Sequence, residues 1–95
     1  MELAAIARKI QKGLDTSDFT DSLKFDCSPA GTITLADGQA TLADGPAACT
    51  LKMSADNLEK LIMGKLNPMT AVALGKIKVS GNPAVAMKLG QLLKA

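Results

Sequence analysis

The sequence contains no histidine, no tryptophan and no tyrosine, and Phe19 and Phe25 are its only aromatic residues. Without an imidazole, neither a Ser-His-Asp nor a Cys-His nucleophile can be assembled, and histidine acid/base catalysis is excluded. Cys27 and Cys49 are too few for an all-cysteine zinc cage. The shortage of aromatics excludes base-stacking platforms for RNA or single-stranded DNA. A formal charge of +2 is too small for binding driven by a phosphate backbone. No nucleic-acid partner, metal or cofactor is expected.

Long apolar runs are also missing. No segment approaches the roughly 18 apolar residues that a spanning helix needs. Glu2, Arg8, Lys9 and Lys12 interrupt the first turns, which argues against a cleaved secretory signal. The final Leu92-Leu93-Lys94-Ala95 is not a peroxisomal address. The expected location is cytoplasmic.

What is present is an ordinary globular balance, 47% apolar and 21% charged, with the apolar residues in periodic runs. A length of 95 residues leaves room for one core, so residues 1–95 are read as a single domain. Leu3, Ile6, Ala7, Ile10 and Leu14 follow helical spacing, which predicts a helix over residues 2–14. Alternation then takes over. Leu23, Phe25 and Cys27 share one strand face, and Ile33 and Leu35 share the next. Asp37-Gly38 before Ala40-Thr41-Leu42 is a hairpin signal, because a type I′ turn needs positive φ at both central positions. Ala47, Cys49, Leu51 and Met53 point one way on a fourth strand.

The period next changes from 2 to 3.6. Ser54 is a predicted N-cap for a helix over residues 55–64, with Leu58, Leu61 and Ile62 on its inner face. Asn67-Pro68 opens a short helix to Leu74, which Gly75 closes. Lys76 to Ser80 reads as a fifth strand, and Asn82-Pro83 starts a last helix over residues 83–94. The expected fold is α+β: a five-stranded, mostly antiparallel sheet with helices covering one face. Its order is helix, three strands, crossover, strand, helix, strand, helix.

No constellation carries chemistry. The two cysteines fall on inner strand faces, where buried inert thiols are expected. Asp15, Asp18 and Asp21 lie in a loop-like stretch and read as caps and turn residues. Gly75 and Gly81 flank a strand but do not form a phosphate-cradling motif. Met53, Met63, Met69 and Met87 supply adaptable apolar surface, either core filler or the wall of an undemanding site. From Ala55 onward, Lys60, Lys65, Lys76, Lys78, Lys88 and Lys94 outnumber Asp56 and Glu59. These carboxy-terminal lysines suit an anionic membrane surface or a coenzyme A phosphate, or simply form a solvated face.

Two stretches carry a family resemblance. They are Cys49-Thr50-Leu51-Lys52-Met53-Ser54 with Gly64-Lys65-Leu66-Asn67-Pro68-Met69-Thr70-Ala71, and Gly75-Lys76-Ile77-Lys78-Val79-Ser80-Gly81 with Ala86-Met87-Lys88-Leu89. At this spacing the sequence resembles the sterol carrier protein 2 family, a group of non-specific lipid-transfer domains, and the order of elements agrees. The resemblance implies a shell around an apolar tunnel for a fatty acid, fatty acyl-CoA, phospholipid or sterol, with binding and carriage but no catalysis.

On that reading, the short helix would contribute Met69, Val72 and Ala73 to the tunnel, and the fifth strand Ile77 and Val79. The last helix would add Val85, Leu89 and Leu92. Inward positions elsewhere complete the expected lipid-binding set: Phe25, Cys27, Ile33 and Leu35 from the first two strands, and Leu51 and Met53 from the fourth. Leu58, Leu61 and Ile62 would come from the helix after it. Many relatives place bulky aromatics where this chain has Ala71-Val72-Ala73-Leu74, so smaller walls imply a reshaped site suited to acyl chains.

The expected partner is a long-chain lipid or acyl-CoA, held by a monomer. The alternative is an assembly module docking on enzymes of lipid or quinone biosynthesis, which would expose an apolar patch instead of a cavity. Acyl-thioester chemistry by a Ser–Lys or Cys nucleophile is disfavoured by the missing histidine.

Overall fold

Apolar residues at helical spacing bury one stripe of the first helix, α1 (Leu3–Asp15), through Ile6, Ala7, Ile10 and Leu14. The computed structural model describes the backbone of residues 2–93 and the side chains of residues 2–88. After α1 come β1 (Leu23–Asp26), β2 (Thr32–Ala36), β3 (Gln39–Thr41), β4 (Cys49–Lys52), α2 (Ala55–Ile62), α3 (Pro68–Ala73), β5 (Lys78–Gly81) and α4 (Pro83–Leu93). The five strands form one sheet in the order β3-β2-β1-β4-β5. Its β1–β4 pair is parallel and the other pairs are antiparallel. The α+β class and the order of elements agree with the sequence reading.

The β2–β3 turn forms as its residues require. Ala36 pairs with Gln39, leaving Asp37 at φ 53° and Gly38 at φ 77° as the two central positions. Gln11 of α1 holds this hairpin from above. Its Nε2 donates to the Gly38 carbonyl at 2.9 Å, and its Oε1 accepts the Ala40 N–H at 2.8 Å.

Alternation along the strands separates two faces. Leu23, Phe25, Ile33, Leu35, Cys49 and Leu51 point to the helices and are buried in one cluster with α1, α2 and Val85 of α4. Lys24, Asp26, Thr34, Thr50, Lys52 and Lys78 occupy the opposite face. The segment between β3 and β4 lies beside part of that face: Thr34 Oγ1 donates to the Ala43 carbonyl at 2.7 Å, and Lys24 Nζ lies 2.6 Å from Asp44 Oδ1. The outlying β4–β5 part stays exposed at Lys52 and Lys78.

The crossover expected before the fourth strand lays β4 parallel to β1, with Phe25 opposite Leu51. One strand boundary needs correction. The fifth strand begins at Lys78 rather than Lys76. Lys76 N–H and Ile77 N–H instead donate to the Ala71 carbonyl, at 2.8 and 3.3 Å, and tie the chain to the end of α3. Alternating sidedness does not distinguish a strand from such a turn.

Candidate functional site

The helices do not close over the whole inner face. Between α3, α4 and the β4–β5 edge lies a cavity of 410 Å³, within the range of about 300–1,000 Å³ common for small-molecule sites. Leu51, Ile77 and Val79 form its floor, Pro68, Met69, Val72 and Ala73 one wall, and Pro83, Ala86 and Met87 the other. Leu51 and Ile77 are buried, whereas Met69 and Met87 are 69% and 71% exposed and stand at the rim.

The same local device positions both walls. Asn67 Oδ1 accepts the N–H groups of Met69 and Thr70 at 2.9 and 3.2 Å, with Pro68 opening the helix. Asn82 Oδ1 accepts the Ala84 N–H at 3.0 Å, with Pro83 in the same role. The Asn82 N–H is itself anchored on the Ala48 carbonyl at 2.9 Å. Each proline thus starts its helix and lines the cavity.

Every described lining side chain is apolar, so among the described residues the cavity offers neither an acid/base pair nor metal ligands. Among the described residues no group of His, Cys, Asp and Glu could hold a metal ion. The thiols are held protonated. Burial, reinforced by the Asp26 carboxylate, pushes Cys27 up to about 11, and burial raises Cys49 as well. What this arrangement can do is take up apolar matter and leave any polar end at the mouth.

Of the residues expected to meet lipid, Leu51, Met69, Val72, Ala73, Ile77 and Val79 line the cavity. Phe25, Cys27, Ile33 and Leu35 sit instead in the closed core. Met53, Leu58, Leu61 and Val85 are buried in that core too, and Ile62 packs against it. Leu89 and Leu92 belong to α4, but their side chains lie outside the described residues.

Periodicity identifies the inner face but not which part of it is hollow. It missed Pro68, Pro83, Ala86 and Met87 as lining residues. The spacing of Pro83, Ala86 and Met87, i, i+3, i+4, places them on one helix face and was the available signal.

Comparison with known proteins agrees with this architecture. The family model described as the SCP-2 sterol transfer family matches residues 4–94. Sterol carrier protein 2 of Gallus gallus is 47% identical over 53 residues, 56% of this chain and 10% of that protein. The chain therefore spans about a tenth of the length of that relative.

Two solved structures share the fold. The Aedes aegypti sterol carrier protein 2 in complex with palmitate superposes with a TM-score of 0.76 at 22% identity, covering 93% of this chain and 90% of that one. A UbiJ-SCP2 ubiquinone synthesis protein gives 0.71 at 19% identity, covering 96% of this chain and 91% of that one. With its sheet order, its paired Asn-Pro helices and a family match over nearly its whole length, the chain belongs to the SCP-2 sterol transfer family.

Proposed function

We propose that this chain binds a long-chain lipid in the cavity between α3, α4 and the β4–β5 edge, and carries or presents it without catalysis. The observation that supports this most directly is the 410 Å³ cavity, whose described lining side chains are all apolar. Each buried methylene contributes about 0.8 kcal/mol. A long acyl chain therefore offsets its ordering cost and reaches the roughly −8 kcal/mol of a micromolar complex.

A fatty acid or fatty acyl-CoA fits this reading best, its polar end remaining at the rim; a phospholipid or sterol is a less direct fit. The Aedes aegypti structure of the same fold holds palmitate, a ligand of this class. The proposed carrier is a monomer with residues 1–95 as one domain, acting in the cytoplasm and meeting anionic lipid through its later lysines. Lys94 lies outside the described residues. Among the described residues no helix is long and apolar enough to cross a membrane.

Organic extraction of the purified protein, followed by mass spectrometry, tests the proposal. Recovery of stoichiometric lipid, or displacement of a fluorescent fatty acid by unlabelled lipid, is expected. No extracted lipid together with no fluorescent binding overturns it.

A second reading is an accessory module for enzymes of lipid or quinone synthesis. Exposed Met69, Leu74 and Met87 favour it, at 69%, 65% and 71% exposure, because apolar side chains at a rim also suit a protein partner. The ubiquinone synthesis protein of like fold is in keeping with it. This reading predicts co-purification with a protein and no extractable lipid.

A further inference from the structure

Behind the cavity, on the other face of the same two strands, is a second concavity of different chemistry. It measures 300 Å³ and is lined by Ser28, Lys52, Met53, Ser54, Gly75, Lys76 and Lys78. Alternation produces this back-to-back arrangement: Leu51, Ile77 and Val79 line the cavity, while their neighbours Lys52, Lys76 and Lys78 line the polar pocket.

Lys52 and Lys78 are direct cross-strand partners. Like charges set opposite each other weaken a strand pair unless something lies between them. The neighbouring carboxylate, whose pKa is lowered by the Ser28 hydrogen bonds and to a smaller extent by Lys52, offsets only part of this charge. Asp26 is in register with Lys52, but its Oδ1 accepts Ser28 Oγ–H at 2.6 Å and Ser28 N–H at 3.1 Å. The described lining thus holds three lysines and no carboxylate, and among the described residues none of the three lysines forms an ion pair.

Ser54 adds a neutral donor. Its Oγ accepts the Asn57 N–H at 3.1 Å as the cap of α2, which leaves its own hydroxyl proton available.

We propose that Lys52, Lys76, Lys78 and Ser54 form a binding site for a phosphate group. Three ammonium groups and a hydroxyl around a concave pocket match a compact multivalent oxyanion, which would sit between the two opposed lysines and relieve their repulsion. The site goes beyond a diffuse attraction of later lysines to membranes, because Lys52 and Ser54 belong to it and Lys60, Lys65 and Lys88 do not. It does not depend on what fills the cavity. The phosphate would come either from a lipid headgroup at a bilayer surface or from a soluble phosphoryl compound.

The test is an NMR titration of the 15N-labelled full chain with inorganic phosphate at constant ionic strength, with chloride as the control. Saturable shifts concentrated at the amides of Lys52, Ser54, Lys76 and Lys78 are expected. They should weaken at least about tenfold in K52Q/K78Q and persist in K9Q/K12Q, which removes the same charge from exposed positions of α1. Equal shifts with chloride, shifts spread over all lysines, or an unaltered titration in K52Q/K78Q would overturn the proposal. Both substitutions are at exposed strand positions and remove a like-charge contact, so an undiminished melting temperature provides the folding control.

Sedimentation with phosphatidylglycerol vesicles then identifies the source. Loss of vesicle binding in K52Q/K78Q, with competition by inorganic phosphate, assigns the site to lipid headgroups. Unchanged vesicle binding alongside lost phosphate binding assigns it to a soluble phosphoryl compound. Failure of the lipid reading would leave these titrations unaffected, so the two proposals fail separately.

Discussion

Leu51 and Val79 are opposite each other across β4 and β5, and both side chains form the floor of the cavity. Their environments differ. Leu51 is buried to 2% exposure within the core cluster, whereas Val79 is only partly buried and borders open space. A larger side chain at Val79 should therefore enter the cavity without displacing the core. V79F is expected to lower fatty-acid affinity by about tenfold or more, a loss of about 1.4 kcal/mol, and to leave the melting temperature nearly unchanged. Displacement of a fluorescent fatty acid and a thermal melt check the two halves. Phe25→Ala should do the reverse: with Phe25 fully buried, it costs about 3–5 kcal/mol of stability.

Asn67 links helix capping to the cavity wall. Its side chain accepts two N–H groups of a helix only six residues long, and that helix supplies Met69, Val72 and Ala73 to the lining. Asn67→Ala should cost about 1 kcal/mol, about 4–8 °C in melting temperature for a domain of this size. Ligand affinity should fall with it, because the wall must be ordered on binding. Affinity measured well below the melting transition checks this. Unchanged binding would mean that α3 contributes little to the site.

These residues also show what the sequence made legible. Asn67-Pro68, Asn82-Pro83 and Asp37-Gly38 act through their immediate neighbours, and each local feature forms where its residue types require it. Inner strand faces were legible for the same reason, since a period of two fixes sidedness. The hollow was not. Phe25 and Val79 both read as inward-facing, yet one is enclosed by helices and the other borders the cavity. That difference depends on where α3 and α4 end up relative to the sheet edge, a long-range outcome that periodicity does not encode. Lys76 and Ile77 show the complementary failure: their alternation is real, but their N–H groups bond to α3 and not to a strand.

Gly81 carries a backbone requirement. Its φ is 95°, and an added Cβ would collide with the Ala48 carbonyl oxygen. Gly38 also has positive φ, 77°, but nothing lies within 4 Å of an added Cβ. G81A is expected to be the more damaging, at about 1–3 kcal/mol for strain alone with the clash in addition, whereas G38A incurs only the conformational cost of about 1–2 kcal/mol. Urea unfolding of both variants tests the ranking, and equal losses would contradict it.

Gln11 joins α1 to the tip of the β2–β3 hairpin through two half-buried hydrogen bonds, to the Gly38 carbonyl and from the Ala40 N–H. Gln11→Ala leaves both backbone groups without that partner, and a loss of about 1–3 kcal/mol is expected. Hydrogen exchange localises the effect: Ala40 should lose protection more than Leu51, which lies on a strand away from α1. Uniform loss across the sheet would show that the contact stabilises the whole fold rather than the hairpin.

The Cys27 thiol makes a prediction with a definite sign. Its folded value is about 11, against 9.0 for an unperturbed thiol, so between those values the folded state keeps a proton that the unfolded chain has lost. Stability linked to Cys27 is complete below about pH 9 and is lost as pH rises through about 11. Urea midpoints measured from pH 8 to 11 should fall more steeply for wild type than for C27A, whose background includes every other titrating group. At pH 7.5 the native thiol should resist a disulfide reagent and react promptly once urea exposes it. Rapid reaction of the folded protein would mean that Cys27 is accessible, and the buried, protonated thiol inferred above would have to be abandoned.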